Sequence, residues 1–272
     1  MAAGGKGANQ AVAAARAGGQ VTFIARVGDD AFGRQAVEGF RRDGIDVAYV
    51  RQDAEAPSGV ALICVAADGQ NSIAVAPGAN GRLCPADVDA AQGVLRAAAV
   101  LLCQLETPVE TVASAIESAA AAGVRVILNP APARPLDDRL LSRVGALTPN
   151  ETEAELLTGV KVEDEAGAQE AARMLRDRGV GIVLITLGPR GTFVDADDIH
   201  QIVPAFKVDV VDTTAAGDVF NGALAVALGE GRPLLEAVRF AHAAAAISVT
   251  KLGAQPSAPP RGEIEAFMRK GA

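Results

Sequence analysis

Two kinds of hydrophobic pattern alternate along the chain, and together they set its architecture. Apolar runs at 21–26, 100–105 and 124–128 are short and nearly unbroken, as in strands covered on both faces. Between and beyond them lie longer stretches, at 8–17, 31–42, 85–98, 108–122 and 233–249, that are amphipathic or rich in alanine and read as helices. Several begin with Pro or stop at Gly, the usual helix punctuation. Residues 59–65 and 71–75 are expected to pair as a β-hairpin around Ala66-Ala67-Asp68-Gly69-Gln70. Further on, the alternation of Phe206, Val208 and Val210 predicts a strand, followed after a run of small residues by helix formers at 223–228. Regular alternation of helix and strand from residue 84 implies parallel strands with right-handed crossovers. The expected fold class is α/β: a three-layer helix-sheet-helix sandwich with a mostly parallel central sheet, in one domain over 1–272.

Ligands of such sheets bind beyond the carboxyl ends of the strands. The segments there are Gln104-Leu105-Glu106-Thr107, Asn129-Pro130-Ala131-Pro132-Ala133, Thr148-Pro149-Asn150-Glu151-Thr152-Glu153 and Thr186-Leu187-Gly188-Pro189-Arg190-Gly191. Each alone is an ordinary solvated loop. Four at one edge make a crevice.

Composition narrows what the crevice can serve. Half of the 272 residues are hydrophobic, enough for a substantial core, and 33 acidic against 25 basic residues give a net charge of −8 with no basic cluster, which argues against a nucleic-acid surface. Cys64, Cys84 and Cys103 have neither CxxC spacing nor nearby histidines, so they read as core thiols. No apolar run is long enough to span a membrane and no signal pattern opens the chain, so the expected location is cytoplasmic. Neither a P-loop nor a dinucleotide-binding glycine fingerprint is present.

The chemistry concentrates in Val210-Val211-Asp212-Thr213-Thr214-Ala215-Ala216-Gly217-Asp218. Ala215, Ala216 and Gly217 carry almost no side chain and precede a helix, so their N–H groups can face an anion at its positive end. Asp218 puts a carboxylate beside that anion. Phosphoryl transfer to a hydroxyl needs this pairing: charge stabilisation on one side, a proton acceptor on the other. Asp is also a common helix N-cap, which is the plainer explanation of Asp218 taken alone.

The run from Asp212 to Asp218 resembles the second signature of the ribokinase-like (PfkB) sugar kinases, with Ala215 where many members have Gly. Gly4-Gly5-Lys6-Gly7-Ala8-Asn9 resembles the first signature. The resemblance implies an ATP-dependent kinase acting on the 5-hydroxyl of D-ribose, with Asp218 as the base and Ala215, Ala216 and Gly217 as the anion hole. It further implies sugar contacts from Gly5, Lys6, Asn9, Glu106 and Asp218. Nucleotide contacts are implied for Asn150, Thr186, Leu187, Gly188, Pro189, Arg190, Gly191, Gly217 and His242, the last beside the adenine. On residue type alone, His242 is equally a core histidine. Asn150 and Glu153 are implied to organise Mg²⁺ through water; Asp212, Thr214, Ser248, Lys251, Gly253 and Ser257, to hold K⁺. The hairpin at 57–77 is implied to be part of a lid and a homodimer contact.

Members of the family begin with a strand and a lid excursion ahead of the glycine loop, and that strand carries an Asp on the sugar. This sequence has neither, so it is expected to be N-terminally truncated, with a weakened sugar site and lid. Two alternatives stay open at this point: another sugar or nucleoside kinase on the same scaffold, and a non-catalytic sugar- or nucleotide-binding protein.

Overall fold

The computed structural model describes residues 3–65 and 71–270. In chain order the first elements are α1 (Lys6–Arg16), β1 (Ala25–Gly28), α2 (Ala31–Arg42), β2 (Val50–Asp53), β3 (Val60–Val65) and β4 (Asn71–Ala76). Then come α3 (Pro85–Ala90), α4 (Gln92–Ala97), β5 (Val100–Cys103), α5 (Val109–Ala121), β6 (Arg125–Leu128), α6 (Asp138–Leu141) and β7 (Ala146–Leu147). The rest are α7 (Glu151–Thr158), α8 (Glu165–Asp177), β8 (Ile182–Thr186), β9 (Thr192–Ala196), β10 (Ile199–Val203), α9 (Ala216–Gly229), α10 (Leu234–Ser248) and α11 (Arg261–Lys270).

Six strands form the central sheet in the order β10-β9-β8-β7-β6-β5. The pairs from β5 to β8 are parallel, and β9 and β10 close that side antiparallel. Successive strand residues point to opposite faces, so an unbroken apolar strand feeds two cores. In β6, Ile127 joins the core against α1, α9 and α10, while Val126 and Leu128 join the one against α5 and α8. The same division separates Leu184 from Val183 and Ile185 in β8. This alternation makes the three layers.

The remaining strands stand apart from that sheet. β1 and β2 pair in parallel, and β3 and β4 form an antiparallel hairpin, whose connecting residues 66–70 lie outside the described residues. The hairpin's base is fastened to β1: Ser58 Oγ accepts the Gly28 N–H at 3.0 Å, and its hydroxyl donates to Asp30 at 2.8 Å.

Three expectations need correction. The strand expected at 21–26 is shifted to Ala25–Gly28, with Thr22 joined only by an isolated bridge to Asp46. The helix expected at 85–98 is broken at Ala91 into α3 and α4. Residues 206–210 form no strand. Phe206 is half-buried edge-on against Phe267 of α11, 5.2 Å between ring centroids, whereas Val210 and Val211 are 60% and 58% exposed. The apolar spacing there marks one anchor on a helix, and residues 206–210 pair with no strand among the described residues.

The helix pair α1 and α9 approaches closely because Gly222 lacks a side chain. A Cβ at Gly222 would lie 2.6 Å from the Gln10 carbonyl oxygen and 2.7 Å from the Ala13 Cβ. Asp218 is one turn before Gly222, and Asn9 and Gln10 are one turn before Ala13 and Ala14, so the same close contact that seats the helices also brings these polar residues together. Gly222→Ala is expected to destabilise the protein by about 1–3 kcal/mol, the usual cost of overpacking. Urea denaturation measures this; a variant as stable as the parent would show that the helices have room to spare.

Candidate active site

A cavity of about 220 Å³ opens at the carboxyl edge of β6, β7 and β8, where parallel sheets place their ligands. Its walls include Asn129, Thr148, Asn150, Glu153 and Thr186 from the strand ends, Lys6 from α1, and residues 215–218 from the start of α9. Eight of the residues singled out from the sequence therefore converge: Lys6, Asn150, Glu153, Thr186, Ala215, Ala216, Gly217 and Asp218.

Asp218 is not a cap. It is the third residue of α9, 6% exposed, and its oxygens accept from side chains of α1: Asn9 Nδ2 on Oδ2 at 2.9 Å and Gln10 Nε2 on Oδ1 at 3.0 Å. Burial raises its pKa above the ordinary carboxylate value, opposed by the charge of Lys6 and by the two amide donors. The net direction makes Asp218 a stronger base than a free carboxylate, while the two amide donors and Lys6 favour its anionic form. Asn9 Oδ1 is buried with no hydrogen-bond partner. Such an atom is costly unless a ligand donor meets it.

The turn before Asp218 is tight. Ala215 caps α9 with φ 61°, a left-handed conformation that costs a side-chain-bearing residue about 1–2 kcal/mol. That is why glycine suits the position. One part of the anion-hole expectation changes: the Ala216 N–H donates to the Thr213 carbonyl at 3.2 Å. The N–H groups of Ala215 and Gly217 have no protein partner among the described residues, and Gly217 is open to solvent.

Beside Lys6 and outside the cavity lining, Glu106 accepts the Lys6 backbone N–H at 2.7 Å, and a Cβ on Gly5 would lie 3.8 Å from the same carboxylate. Burial raises the Glu106 pKa, offset by Lys6 and reinforced by the charge of Asp218. The Asn150 and Glu153 pair is a reciprocal helix cap: Asn150 Oδ1 accepts the Glu153 N–H at 2.8 Å and Glu153 Oε2 accepts the Asn150 N–H at 2.9 Å. The cap fixes both side chains at the cavity wall and leaves Glu153 Oε1 without a protein donor among the described residues. No group of three or more His, Cys, Asp or Glu is placed to hold a metal ion directly among the described residues. One free carboxylate oxygen beside an amide suits a hydrated Mg²⁺ that takes its remaining ligands from water and phosphate.

Other expected site residues lie outside the cavity lining. Leu187 is buried in the core, Gly188 to Arg190 form a short 3₁₀ turn, and a Cβ on Gly191 would strike the Val203 carbonyl oxygen at 2.1 Å. Pro189 is the second residue of that turn, while Arg190 pairs with Glu151 at 2.5 Å and donates to the Glu163 carbonyl. His242 is 6% exposed, with Nδ1 on the Pro204 carbonyl at 3.2 Å and Nε2 on the Thr192 hydroxyl at 2.8 Å. The carbonyl can only accept, so Nδ1 carries the proton and Nε2 accepts from Thr192. Both ring nitrogens therefore have partners within the protein.

The residues expected around a monovalent cation form a latch between two loops. Asp212 Oδ1 accepts from the Thr214 N–H and hydroxyl at 2.8 and 2.6 Å, and Oδ2 from the Gly253 N–H at 2.8 Å. Ser248 and Ser257 hydroxyls donate to the carbonyls of Ala245 and Ala254, and the Lys251 ammonium pairs with Glu263 at 2.9 Å.

Residues 1–261 of the 272 match the pfkB family carbohydrate kinase profile. The chain belongs to the pfkB family of carbohydrate kinases. A ribokinase from Haemophilus influenzae is 48% identical over 268 residues, 98% of this kinase and 88% of the relative. A deoxyribokinase from Salmonella typhi is 41% identical over 265 residues, covering 97% and 86%. The structure of Arabidopsis thaliana ribokinase complexed with ribose and ATP superposes with a TM-score of 0.90 at 36% identity, covering 98% of this kinase and 88% of that chain. The three-layer α/β architecture and the carbohydrate-kinase class are thus shared across nearly the whole chain.

Sequence reasoning missed Gln10 and Asn221. Both are amides 1% exposed among the small and apolar residues of their helices, and that mismatch between residue and surroundings was the available signal.

Burial lowers the His242 pKa from 6.5 to about 4. The unfolded chain therefore takes up a proton that the folded protein refuses, and stability is lost as pH falls from about 6.5 towards 4. In urea titrations across that range, His242→Gln is expected to lose less stability than the parent; parallel losses would remove this role.

Proposed function

We propose that this kinase transfers the γ-phosphoryl group of ATP to the 5-hydroxyl of D-ribose, giving ribose 5-phosphate and ADP. The observation that carries the reading is the placement of Asp218, a buried carboxylate beside the free N–H groups of Ala215 and Gly217 in a cleft lined by Lys6, Asn150, Glu153 and Thr186. Similarity to ribokinases, one of them 48% identical and another solved with ribose and ATP, supports the choice of sugar and donor.

In this reading the 5-hydroxyl oxygen attacks the γ-phosphorus as the bond to the β–γ bridging oxygen breaks. The hydroxyl proton passes to Asp218, and ADP leaves. The N–H groups of Ala215 and Gly217 face the negative charge on the transferring group. Gly5, Lys6, Asn9 and Glu106 form the sugar end, where the unpartnered Asn9 Oδ1 is an acceptor for a sugar hydroxyl. Thr186 and the 187–191 turn form the nucleotide end. Asn150 and Glu153 would hold Mg²⁺ through water, and the ion would supply countercharge to the nucleotide phosphates. The Asp212 latch, with Thr214, Ser248, Lys251, Gly253 and Ser257, offers hard oxygen donors suited to K⁺ next to the anion hole.

The hairpin of β3 and β4 is assigned to a lid and homodimer contact, since it exposes Val60, Leu62 and Val75 and its base meets the sugar end through Asn80 Nδ2 on the Glu106 carbonyl at 3.2 Å. A second reading, 2-deoxyribose as the sugar, is favoured by the 41% identity to a deoxyribokinase.

ADP release with ribose, 2-deoxyribose, fructose and adenosine, with and without K⁺, tests substrate and ion together. Ribose is expected to give the highest kcat/KM and K⁺ to raise the rate; a preference for 2-deoxyribose would move the assignment to the second reading. Asp218→Asn is expected to lower kcat about 10²–10⁴-fold, the range for removing a general base, with ATP affinity nearly unchanged. Retained turnover in that variant would exclude Asp218 as the base.

A further inference from the structure

Behind Asp218 runs a closed circuit of buried side-chain hydrogen bonds that the reaction as described does not use. Gln10 Nε2 donates both to Asp218 Oδ1 at 3.0 Å and to Asn129 Oδ1 at 3.1 Å, and its Oε1 accepts from Gln104 Nε2. Asn129 Nδ2 donates to the Thr148 carbonyl at 3.0 Å. The Thr148 hydroxyl donates to Asn221 Oδ1 at 2.6 Å, and Asn221 Nδ2 donates to the Gly217 carbonyl at 2.8 Å. The path therefore leaves the anion-hole turn at Gly217, crosses the ends of β7 and β6, and returns to the neighbouring carboxylate. Gln10, Asn129, Thr148 and Asn221 are all 7% exposed or less.

An amide can turn either way, but this circuit permits one direction. The main-chain carbonyl of Thr148 can only accept, so Asn129 must present its NH₂ there and its oxygen to Gln10. Gln10 must then present its NH₂ to Asn129, and the second hydrogen of that group falls to Asp218. Its remaining oxygen meets the Gln104 donor. The carbonyl of Gly217 fixes Asn221 in the same way, and Asn221 in turn makes the Thr148 hydroxyl a donor. Two peptide carbonyls thus set the polarity of every side chain in the ring.

We infer that Gln10 is a positioning residue for phosphoryl transfer: keyed by the Thr148 carbonyl through Asn129, its Nε2 fixes Oδ1 of Asp218 while Asn9 fixes Oδ2. With one donor on each oxygen, the carboxylate cannot rotate away from the cleft, and each oxygen keeps a lone pair for a sugar hydroxyl. The inference rests on the reading of Asp218 as the base. It adds that base and anion hole are held in mutual register by one network, so that loosening the network lowers the rate without loosening the nucleotide.

Gln10→Met removes the donor while nearly keeping the volume. The expected result is a kcat about 10–100-fold lower with unchanged KM for ATP, the scale of loss for a displaced reacting group. The acid limb of the kcat profile moves to higher pH, because the anionic form of Asp218 has lost a donor. The charged groups facing Asp218 are Lys6 from α1, Glu106 after β5 and Glu153 on α7; all three are retained in the variant, so the movement reports Gln10. Gln10→Glu, with a carboxyl in the donor's place, is expected to move the limb in the same direction and at least as far. A folded Gln10→Met enzyme with parental kcat and acid limb overturns the inference. If that variant does not fold, the unmodified enzyme labelled with ¹⁵N-glutamine decides: the Gln10 side-chain amide signals titrate with the midpoint of the acid limb, and signals that stay still overturn the inference. Asp218→Asn separates the two levels. Turnover in Asp218→Asn defeats the base assignment itself, whereas an inactive Asp218→Asn beside an unaltered Gln10→Met defeats only the role of Gln10.

Discussion

The close packing of α1 against α9 is the contact on which the site depends. The glycine loop and the phosphate-facing turn are separated by about two hundred residues, and only the seating of their two helices joins them. Gly222 permits that seating, with the Gln10 carbonyl and Ala13 where a side chain would otherwise be. Alanine on both helices continues the fit, burying Ala11, Ala13 and Ala14 on one and Ala223 and Ala227 on the other. At the leading edge of this close pair Asn9 and Gln10 each donate to one oxygen of Asp218, and Asn9 Oδ1 is left buried without a partner. The carboxylate is consequently buried and oriented, with a donor on each oxygen.

The sheet supplies the opposite wall. Parallel strands deliver successive loops to the same edge, and here those loops contribute amides and hydroxyls, Asn129, Thr148, Asn150 and Thr186, with Glu153 as their carboxylate. Three carboxylates, Glu106, Glu153 and Asp218, surround Lys6, and burial raises the pKa of each. Mutual repulsion adds to the burial effect, and Lys6 counters both. A site so arranged holds negative charge at the cost of electrostatic strain, which an incoming hydroxyl or a hydrated cation relieves.

Much of this was legible in the sequence, and for identifiable reasons. Strands buried on both faces leave an unmistakable apolar run, so β5 and β6 were visible as 100–105 and 124–128. The hairpin of β3 and β4 was visible too, and the two signatures located the cleft. What escaped depends on tertiary context. The alternation at 206–210 has the period of a strand, yet a strand needs a neighbour, and Phe206 instead packs on α11. The N–H of Ala216 turned inward to Thr213, which no composition rule announces. His242 illustrates a different limit: its two hydrogen-bond partners, Thr192 and Pro204, are both far from it in sequence. Gln10 belongs with these, since its neighbours come from three other elements.

The most direct measurement is a crystal structure of the enzyme with ribose and a non-hydrolysable ATP analogue. The account predicts the ribose 5-hydroxyl at hydrogen-bonding distance, about 3 Å, from an Asp218 oxygen, with the terminal phosphate against the N–H groups of Ala215 and Gly217. A terminal phosphate bound away from the start of α9, or a sugar whose 5-hydroxyl faces another acceptor, would contradict it.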